Sequence, residues 1–458
     1  MHRFFLTGII AVIIFFTSCI EDGFSNSPSH QPDYSTDTLK IGEVFTAQGT
    51  PTRSFIVYNR HSKGMVISNI KFRDSSTGEY FRVNVDGVSG REFNNVEIRA
   101  KDSIFVLVEA TVPENGFDAP RVINSPLDFT VNGVTSTVII NISGRDVNRL
   151  NGETLTADTR FTADRPYLIT DSLVVAPGAT LTIEAGASLY FHDKASLRVR
   201  GSLVTEGTPE KPINFTGDRT GNVVGGIPYE LMSGQWDGVR FYSTSRNNTL
   251  SHTSIRNSST GVTVDSVPEG VNALSLVNCV IRNTKSTVLS SRHASVRAVG
   301  CEFAEAPAGV VYLHDGTHQF VNCTFSNYYL FAGITGALIS FNGDDINATI
   351  DNSILYGLGS VISPDDIEGM PIFFRNSLLK PAGSDDDNFI DCIWDANPLF
   401  YTVREEYLFD YRIQEDSPAR GSANLSLLNG IPEAARDYYG MSRGNTPDIG
   451  AYVYTPVN

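Results

Sequence analysis

Three acidic turns in the C-terminal half carry the side chains best suited to chemistry. They contain Asp344 and Asp345, Asp365 and Asp366, and Asp385, Asp386 and Asp387. Neighbouring carboxylates repel one another unless a cation, a basic partner or solvent relieves the repulsion. Oxygen ligands suit Ca²⁺, and a calcium-assisted reaction also needs a base.

Two roles can be assigned within these turns. We expect the protein to require no cofactor, and calcium is the candidate ion. The candidate calcium ligands are Asp345, Asp366, Asp385 and Asp386. The candidate catalytic residues are Asp344, Asp365, Asp387 and Arg375, which falls between the last two turns. The alternative is that these are solvated turns, where Asp is common for its backbone preferences.

Other catalytic signals are weaker. His314 and His318 flank Asp315 and could supply a general acid or base, but no third partner follows at a recognisable spacing. Aromatic residues at 328–331 and Trp394 could stack on sugar rings, although interior packing is the more common role. Phosphate-binding Gly loops, nucleophile elbows and zinc motifs are absent from the sequence.

An internal repeat predicts the elements that would position these residues. The repeats begin at His252, Asn278, Gly300, Asn322, Asn352 and Asn376, at intervals of 26, 22, 22, 30 and 24 residues. Such intervals are typical of one solenoid coil, with longer ones marking loops. The acidic turns lie 21 and 20 residues apart, so they would line one edge of the coils.

The repeat also predicts which side chains stack. Cys279, Cys301 and Cys323 would form an interior column with neighbours about 4.8 Å apart. We expect reduced thiols, because in-register strands angle them poorly for a disulfide. Asn257, Asn283 and Asn327 recur at the next turn, where we expect left-handed backbone and amides stacked along the axis.

The segment from 148 onward resembles a known fold. Val175, Gly178, Leu181 and Ile183, followed by the coil Trp236-Asp237-Gly238-Val239-Arg240-Phe241, resemble the right-handed single-stranded parallel β-helix of pectate-lyase-like proteins. We assign this fold to 148–380. The Ser417-Pro418-Ala419 and Pro447-Asp448-Ile449-Gly450 stretches resemble the C-terminal end of bacterial β-helix surface proteins, so 381–458 would form final coils and a cap.

The preceding segment, 38–147, reads as a separate all-β domain. Apolar residues alternate with polar ones in short runs such as Phe81-Arg82-Val83-Asn84-Val85, and turn residues bound each run. This pattern indicates an antiparallel sandwich. The stretch Phe55-Ile56-Val57-Tyr58-Asn59 resembles immunoglobulin-like modules, although the Cys pair is missing.

The N-terminus resembles that of a Bacteroidetes-type surface lipoprotein. Residues 1–18 read as a signal peptide ending in Phe16-Thr17-Ser18 before Cys19, the expected lipid attachment site. The tract Glu21-Asp22 resembles the acidic signal for export to the outer face, and 19–37 reads as a flexible tether. We therefore expect attachment to outer-membrane lipid, with the protein on the cell surface.

The net charge of the chain limits the classes of partner that it can bind. A formal net charge of -16 argues against binding nucleic-acid phosphates, which would be repelled. The resemblance to β-helix proteins implies a polysaccharide or surface-protein partner, yet the Gly-His-Gly and Arg-x-Lys signatures of polygalacturonase-type hydrolases are missing. We therefore expect a non-enzymatic protein that binds glycan or protein or serves as a scaffold. The alternative is a polysaccharide lyase or glycoside hydrolase acting in a groove of the β-helix.

Overall fold

The computed structural model describes residues 23–219, 221, 227–268, 270–362 and 367–456. They form an all-β protein that divides into two compact units, one ending at Asp146 and the other beginning at Val147. The helices are short: α1 is Ser75–Gly78, and 3₁₀ turns occupy Tyr229–Leu231, Arg404–Glu406, Leu425–Leu428 and Pro432–Ala435. Within the described residues, no helix is long and apolar enough to cross a membrane.

The first unit contains two five-stranded sheets. Its strands are β1 Asp33–Tyr34, β2 Thr38–Phe45, β3 Arg53–Tyr58, β4 Met65–Phe72, β5 Phe81–Val85, β6 Val88–Gly90, β7 Glu92–Ile98, β8 Ser103–Ala110, β9 Arg121–Val131 and β10 Val134–Arg145. The sheet orders are β1-β3-β8-β5-β6 and β2-β10-β9-β4-β7. Pairing is antiparallel except between β2 and β10, which run parallel.

One hydrophobic core lies between these two sheets. It includes Phe55 and Val83 from one sheet and Ile67, Phe129 and Ile140 from the other. Along β5, β8 and β10 the buried residues alternate with more exposed ones. This confirms the period-2 pattern, because successive side chains of a strand point to opposite faces.

The second unit is built from parallel strands. They are β11 Asn148–Leu150, β12 Thr154–Leu155, β13 Thr159–Phe161, β14 Tyr167–Ile169, β15 Ser172–Val175, β16 Thr180–Glu184, β17 Ser188–Phe191, β18 Ser196–Val199, β19 Ser202–Glu206, β20 Ile213–Gly217, β21 Gly238–Phe241, β22 Asn248–Ser251, β23 Thr253–Arg256, β24 Val262–Val264, β25 Asn272–Val277, β26 Val280–Arg282, β27 Leu289–Arg292, β28 Ser295–Val299, β29 Glu302–Ala304, β30 Val311–Val321, β31 Thr324–Asn327, β32 Ile339–Asp351, β33 Ile354–Gly357, β34 Ile372–Arg375, β35 Leu378–Leu379 and β36 Phe389–Ile390.

These strands form three parallel ladders, which we call faces A, B and C. Face A runs β12-β15-β18-β21-β24-β27 and continues into the first halves of β30 and β32. Face B runs β13-β16-β19-β22-β25-β28 and continues through the second halves of β30 and β32 to β34 and β36. Face C runs β11-β14-β17-β20-β23-β26-β29-β31-β33-β35. The chain visits the three in turn, which makes a β-helix-like coil around one apolar interior.

The repeat intervals are confirmed by strand pairing on face C. Ser254 pairs with Val280, which pairs with Glu302, and the series continues through Thr324, Ile354 and Leu378. Cys279, Cys301 and Cys323 are buried, as the interior column requires. The described cysteines carry free thiols.

The corner between faces B and C explains why the same position of the repeat accepts Cys in three coils and Ser in the next two. Cys301 Sγ accepts the backbone N–H of Cys279 one coil earlier, at 3.4 Å. Ser353 Oγ accepts the N–H of Cys323 at 3.0 Å, and Ser377 Oγ accepts that of Ser353 at 3.1 Å. A thiol and a hydroxyl serve equally here, because each offers a small acceptor to a buried amide.

The residues that precede this Cys or Ser position of the repeat form a second column at this corner, and their backbone is in the left-handed conformation. His252, Asn278, Gly300, Asn322, Asn352 and Asn376 have φ of 41, 48, 66, 49, 47 and 48°. At the turn where we expected the column, Asn257 and Asn283 are left-handed but Asn327 is not among the positive-φ residues. The Asn257 amide donates to loop carbonyls, including Glu230 O at 2.7 Å, so the expected amide stack is wrong there.

The Asn side chains of the corner column bind the C-terminal segment, residues 397–456. Asn322 Nδ2 donates to Asp448 O at 2.9 Å, and Asn376 Nδ2 donates to Ser422 O at 2.8 Å. Asn352 both donates to Asn424 O and accepts from Asn424 N–H. The segment therefore lies along face C, where Phe400, Ile413, Ile449 and Ala451 pack against Ile354 and Leu378.

Ionisable residues of face C are buried beneath this segment. Glu302 accepts from Tyr452 O–H at 2.6 Å and pairs with Arg282 at 3.3 Å. Glu305 accepts a short hydrogen bond from Tyr411 O–H. Burial raises the pKa of Glu305 to about 7, against the opposing charge of Arg282. An adjoining cavity of only about 30 Å³ has room for little more than a water molecule.

Replacing Asn322 should loosen the C-terminal segment. Asn322→Ala removes the amide donor and places in left-handed backbone a residue that tolerates it less well than Asn, for a combined cost of about 2 kcal/mol, whereas Asn322→Gly removes the donor without this strain. Hydrogen–deuterium exchange of peptides covering 447–452 should be fastest in the alanine variant and intermediate in the glycine variant. Asn247→Ala is the control, since Asn247 is exposed with φ 55°. Equal exchange in all variants would contradict the role of Asn322.

The buried Glu305 should make stability depend on pH. Its folded pKa exceeds the ordinary value of 4.5, so its contribution is fully present below pH 4.5 and is lost as pH rises to about 7. Glu305→Gln stays neutral, and its stability relative to the wild type should increase by roughly 3 kcal/mol across that window. Trp236 and Trp394 both lie in the second unit, so denaturation followed by tryptophan fluorescence reports it selectively. Glu415→Gln, at an exposed position, is the control, and a pH-independent difference would refute the assignment.

Candidate functional site

The two described acidic turns each precede a strand segment of face B, two coils apart in the β32-β34-β36 ladder. Asp344 and Asp345 are exposed within β32, where face A turns into face B. Asp385, Asp386 and Asp387 are exposed in the turn that precedes β36. Asp365 and Asp366 lie outside the described residues, as does Cys19.

Three of the candidate residues make contacts that explain their presence structurally: Arg375, Asp385 and Asp386. Arg375 forms a two-point ion pair with Asp351, with both N–O distances 2.6 Å. Asp351 is 1% exposed, so Arg375 neutralises a buried carboxylate one coil away. Asp385 accepts from Trp394 Nε1–H at 3.0 Å, and Asp386 accepts the N–H groups of Asn388 and Phe389 in its own turn.

The aromatic candidates are likewise engaged in packing. Tyr329 is buried and its hydroxyl lies 2.7 Å from Ser233 Oγ. Trp394 packs against Phe389, with ring centroids 4.9 Å apart. Phe331 is the exposed member of the 328–331 run, at 39%.

Face A carries a set of exposed basic side chains, which we call the arginine surface: Arg198, Arg200, Arg240 and Arg292. All four are exposed. Arg198 and Arg240 are register partners on β18 and β21. The net charge of the chain is -16, so its long-range electric field disfavours anions. The four guanidinium groups of face A form a local positive exception to that field.

Aromatic and acidic neighbours hold part of this surface in place. Arg200 and Arg240 lie over the Tyr242 ring, 4.5 and 4.9 Å from its centroid. Arg240 also pairs with Asp265 at 3.1 Å. These contacts restrict the arginine side chains before any ligand arrives, which lowers the entropy cost of binding.

A shallow depression of about 460 Å³ opens on the same face. It is lined by Arg240, Thr260, Thr263, Asp265, Ser286, Thr287, Ser290, Arg292 and Tyr312. Thr263, Ser290 and Tyr312 are register partners on β24, β27 and β30, so hydroxyl groups recur along the coils. The depression thus combines two guanidinium groups, hydroxyls, one phenol ring and the carboxylate of Asp265, which pairs with Arg240.

A cluster of His293, His314 and Asp315 lies at the end of these strands. Asp315 Oδ2 is 3.0 Å from His293 Nδ1 and 3.1 Å from His314 Nδ1. Within the described residues, this is the group of three or more His, Cys, Asp or Glu side chains arranged closely enough for one metal ion. The backbone N–H of Asp345 lowers the pKa of Asp315, and the two imidazoles act in the same direction.

The structure places the two histidines of the general acid–base hypothesis in different environments. His314 joins the cluster, whereas His318 is 1% exposed, and desolvation lowers its pKa to about 4. Its Nε2 lies 2.9 Å from Asp315 O, so the neutral ring supports the backbone of the cluster from inside.

Sequence reasoning missed His293 and the arginine surface. His293 precedes Asp315 by one coil of 22 residues, the interval that the repeat already provided. Extending that register from the apolar columns to the polar positions would have placed both imidazoles beside Asp315.

Comparisons with known proteins show no family. No family model matches the chain, and no curated protein matches it. Among solved structures, a family 123 glycoside hydrolase from Clostridium perfringens aligns at 8% identity over 25% of each chain, with a TM-score of 0.18. A protein of unknown function from Porphyromonas gingivalis W83 aligns at 12% identity over 28% of this chain and 60% of its own, with a TM-score of 0.19. This chain therefore spans less than two thirds of either structure.

Proposed function

We propose that this chain is a lipid-anchored bacterial surface protein that binds an acidic polysaccharide on face A. The observation that carries the proposal is the arginine surface, a local concentration of positive charge in a strongly acidic protein. Arginine suits carboxylate and sulfate groups because its planar fork donates two parallel hydrogen bonds.

The arrangement on the coils favours a polymer over a small molecule. Arg198 and Arg240 occupy equivalent positions of successive face-A strands, and Thr263, Ser290 and Tyr312 continue that row. The depression is shallow and open, whereas pockets for small ligands are usually deep and largely apolar. An extended chain with repeated acidic groups would engage several coils at once.

The remaining parts of the proposal concern how the protein is anchored to the cell and what each unit does. Cys19 would carry the lipid, with outer-membrane lipid as its partner, and the first unit would act as an immunoglobulin-like spacer. The second unit would be a right-handed β-helix of the pectate-lyase type. Its role would be binding without turnover, because Arg375, the base candidate among the acidic turns, is engaged with Asp351.

Removing positive charge from face A should weaken binding to acidic glycans. We expect Arg240→Ala/Arg292→Ala to raise the Kd for polygalacturonate about a hundredfold, roughly tenfold per arginine, and we expect wild-type binding to weaken with added salt. Binding is measured on the detergent-purified full chain by biolayer interferometry, with a neutral glucan as comparison.

Arg160→Ala is the matched control for this experiment. Arg160 carries the same charge but lies on face B, paired with Glu184 and Glu206 at 2.6 and 2.7 Å. Equal affinity for neutral and acidic glycans, or an unchanged Kd in the double variant, would refute the proposal. Release of unsaturated uronate products would instead favour the lyase alternative.

Lipid attachment at Cys19 has its own test. Cys19→Ala should abolish incorporation of an alkyne fatty acid and release the protein from the membrane fraction, because the acyl chains are the proposed anchor. Cys392→Ala should leave both unchanged, since that thiol belongs to the second unit. Labelling that persists in Cys19→Ala would exclude this anchor.

A further inference from the structure

The cluster of His293, His314 and Asp315 has a geometry that hydrogen bonding alone does not require. Both imidazole Nδ1 atoms approach the same oxygen, Asp315 Oδ2, from neighbouring coils. The two rings are 4.9 Å apart between centroids and inclined by 49°. One donor from each residue lies within 4.8 Å of the others.

This spacing is close to that of ligands around one ion. Donors bound to zinc at about 2.0–2.1 Å lie about 3–3.5 Å from one another. The His–Asp distances of 3.0 and 3.1 Å already meet that value. Only the separation of the two imidazole nitrogens needs to shrink, and side-chain rotation of the half-exposed His293 can provide that.

The backbone fixes the carboxylate independently of the two histidines. Asp345 N–H donates to Asp315 Oδ1 at 2.9 Å, which leaves Oδ2 facing the imidazoles. Gly343, with φ 91°, lies against the same carboxylate, and a Cβ there would approach Oδ1 to 2.0 Å. A hydrogen bond that orients a ligating carboxylate is the usual outer-shell support of a metal site.

We infer that His293, His314 and Asp315 bind a divalent transition-metal ion such as Zn²⁺ or Co²⁺. Two imidazoles and one carboxylate match the preferences of these ions, whereas Ca²⁺ takes oxygen ligands. The His293 and His314 side chains are 57% and 31% exposed, so further coordination positions face solvent. The site differs in position and ion class from the acidic turns, and it does not depend on polysaccharide binding.

Metal binding to the full chain tests this inference directly. Protein without a polyhistidine tag is stripped with a chelator and titrated with Co²⁺, whose visible absorption reports nitrogen and oxygen coordination. We expect one Co²⁺ per chain, displaced by Zn²⁺ but retained in a large excess of Ca²⁺. The variants His314→Gln and Asp315→Asn should each weaken Co²⁺ binding at least a hundredfold.

The control is His192→Gln, because His192 lies 2.8 Å from Asp218 but is not part of the described three-ligand cluster. It should bind Co²⁺ like the wild type, and circular dichroism should show that every variant is folded. Absence of stoichiometric Co²⁺ in the wild type, equal loss in His192→Gln, or displacement by Ca²⁺ would overturn the inference. In the first case the cluster is a group of neighbouring side chains without metal.

Discussion

In-register pairing of parallel strands is the constraint on which the second unit depends. Each coil places its residues directly over the equivalent residues of the coil before, at about 4.8 Å. Side chains separated by one coil in the sequence therefore become nearest neighbours in space. The Asn column, the arginine surface and the His293–Asp315 contact all arise from this single geometric rule.

Faces A and C differ in whether other parts of the chain cover them, because their outward residues differ. Face C directs Arg282, Glu302 and Glu305 outward, and the C-terminal segment buries them with Tyr411 and Tyr452 as partners. Burying such charges is costly unless hydrogen bonds and opposite charges compensate. On face A the outward residues Arg198, Arg200, Arg240 and Arg292 are exposed instead.

Much of the coil architecture could be predicted from the sequence, because an apolar interior imposes a strict pattern. The series from Ser254 to Leu378 and the buried Cys279, Cys301 and Cys323 follow from that pattern. The path of the C-terminal segment could not be predicted in the same way. It is held by Asn amides that bind backbone carbonyls, and a carbonyl acceptor leaves no trace in residue identity.

In the candidate site, too, some contacts follow from the repeat register and others do not. The sequence offers Arg375 as a catalytic candidate, but Asp351 lies one coil earlier, and the register identifies Asp351 as the partner of Arg375. The pairing of His293 with Asp315 was accessible by the same reasoning. The Asp345 N–H that orients Asp315 was not, since it depends on how β32 bends at Gly343.

The corner between faces B and C has a consequence for how this fold can change in length. Asn278 and Cys279 alone separate β25 from β26, and the pairs Gly300-Cys301 and Asn322-Cys323 do the same in the following coils. The connection from face C to face A varies instead, and it is longer between Asn327 and Ile339 than between Arg282 and Leu289. Insertions, epitope tags or grafted loops should therefore be tolerated at the corner between faces C and A. They should not be tolerated at the corner between faces B and C, where an added residue would break the hydrogen-bonded column and detach the C-terminal segment.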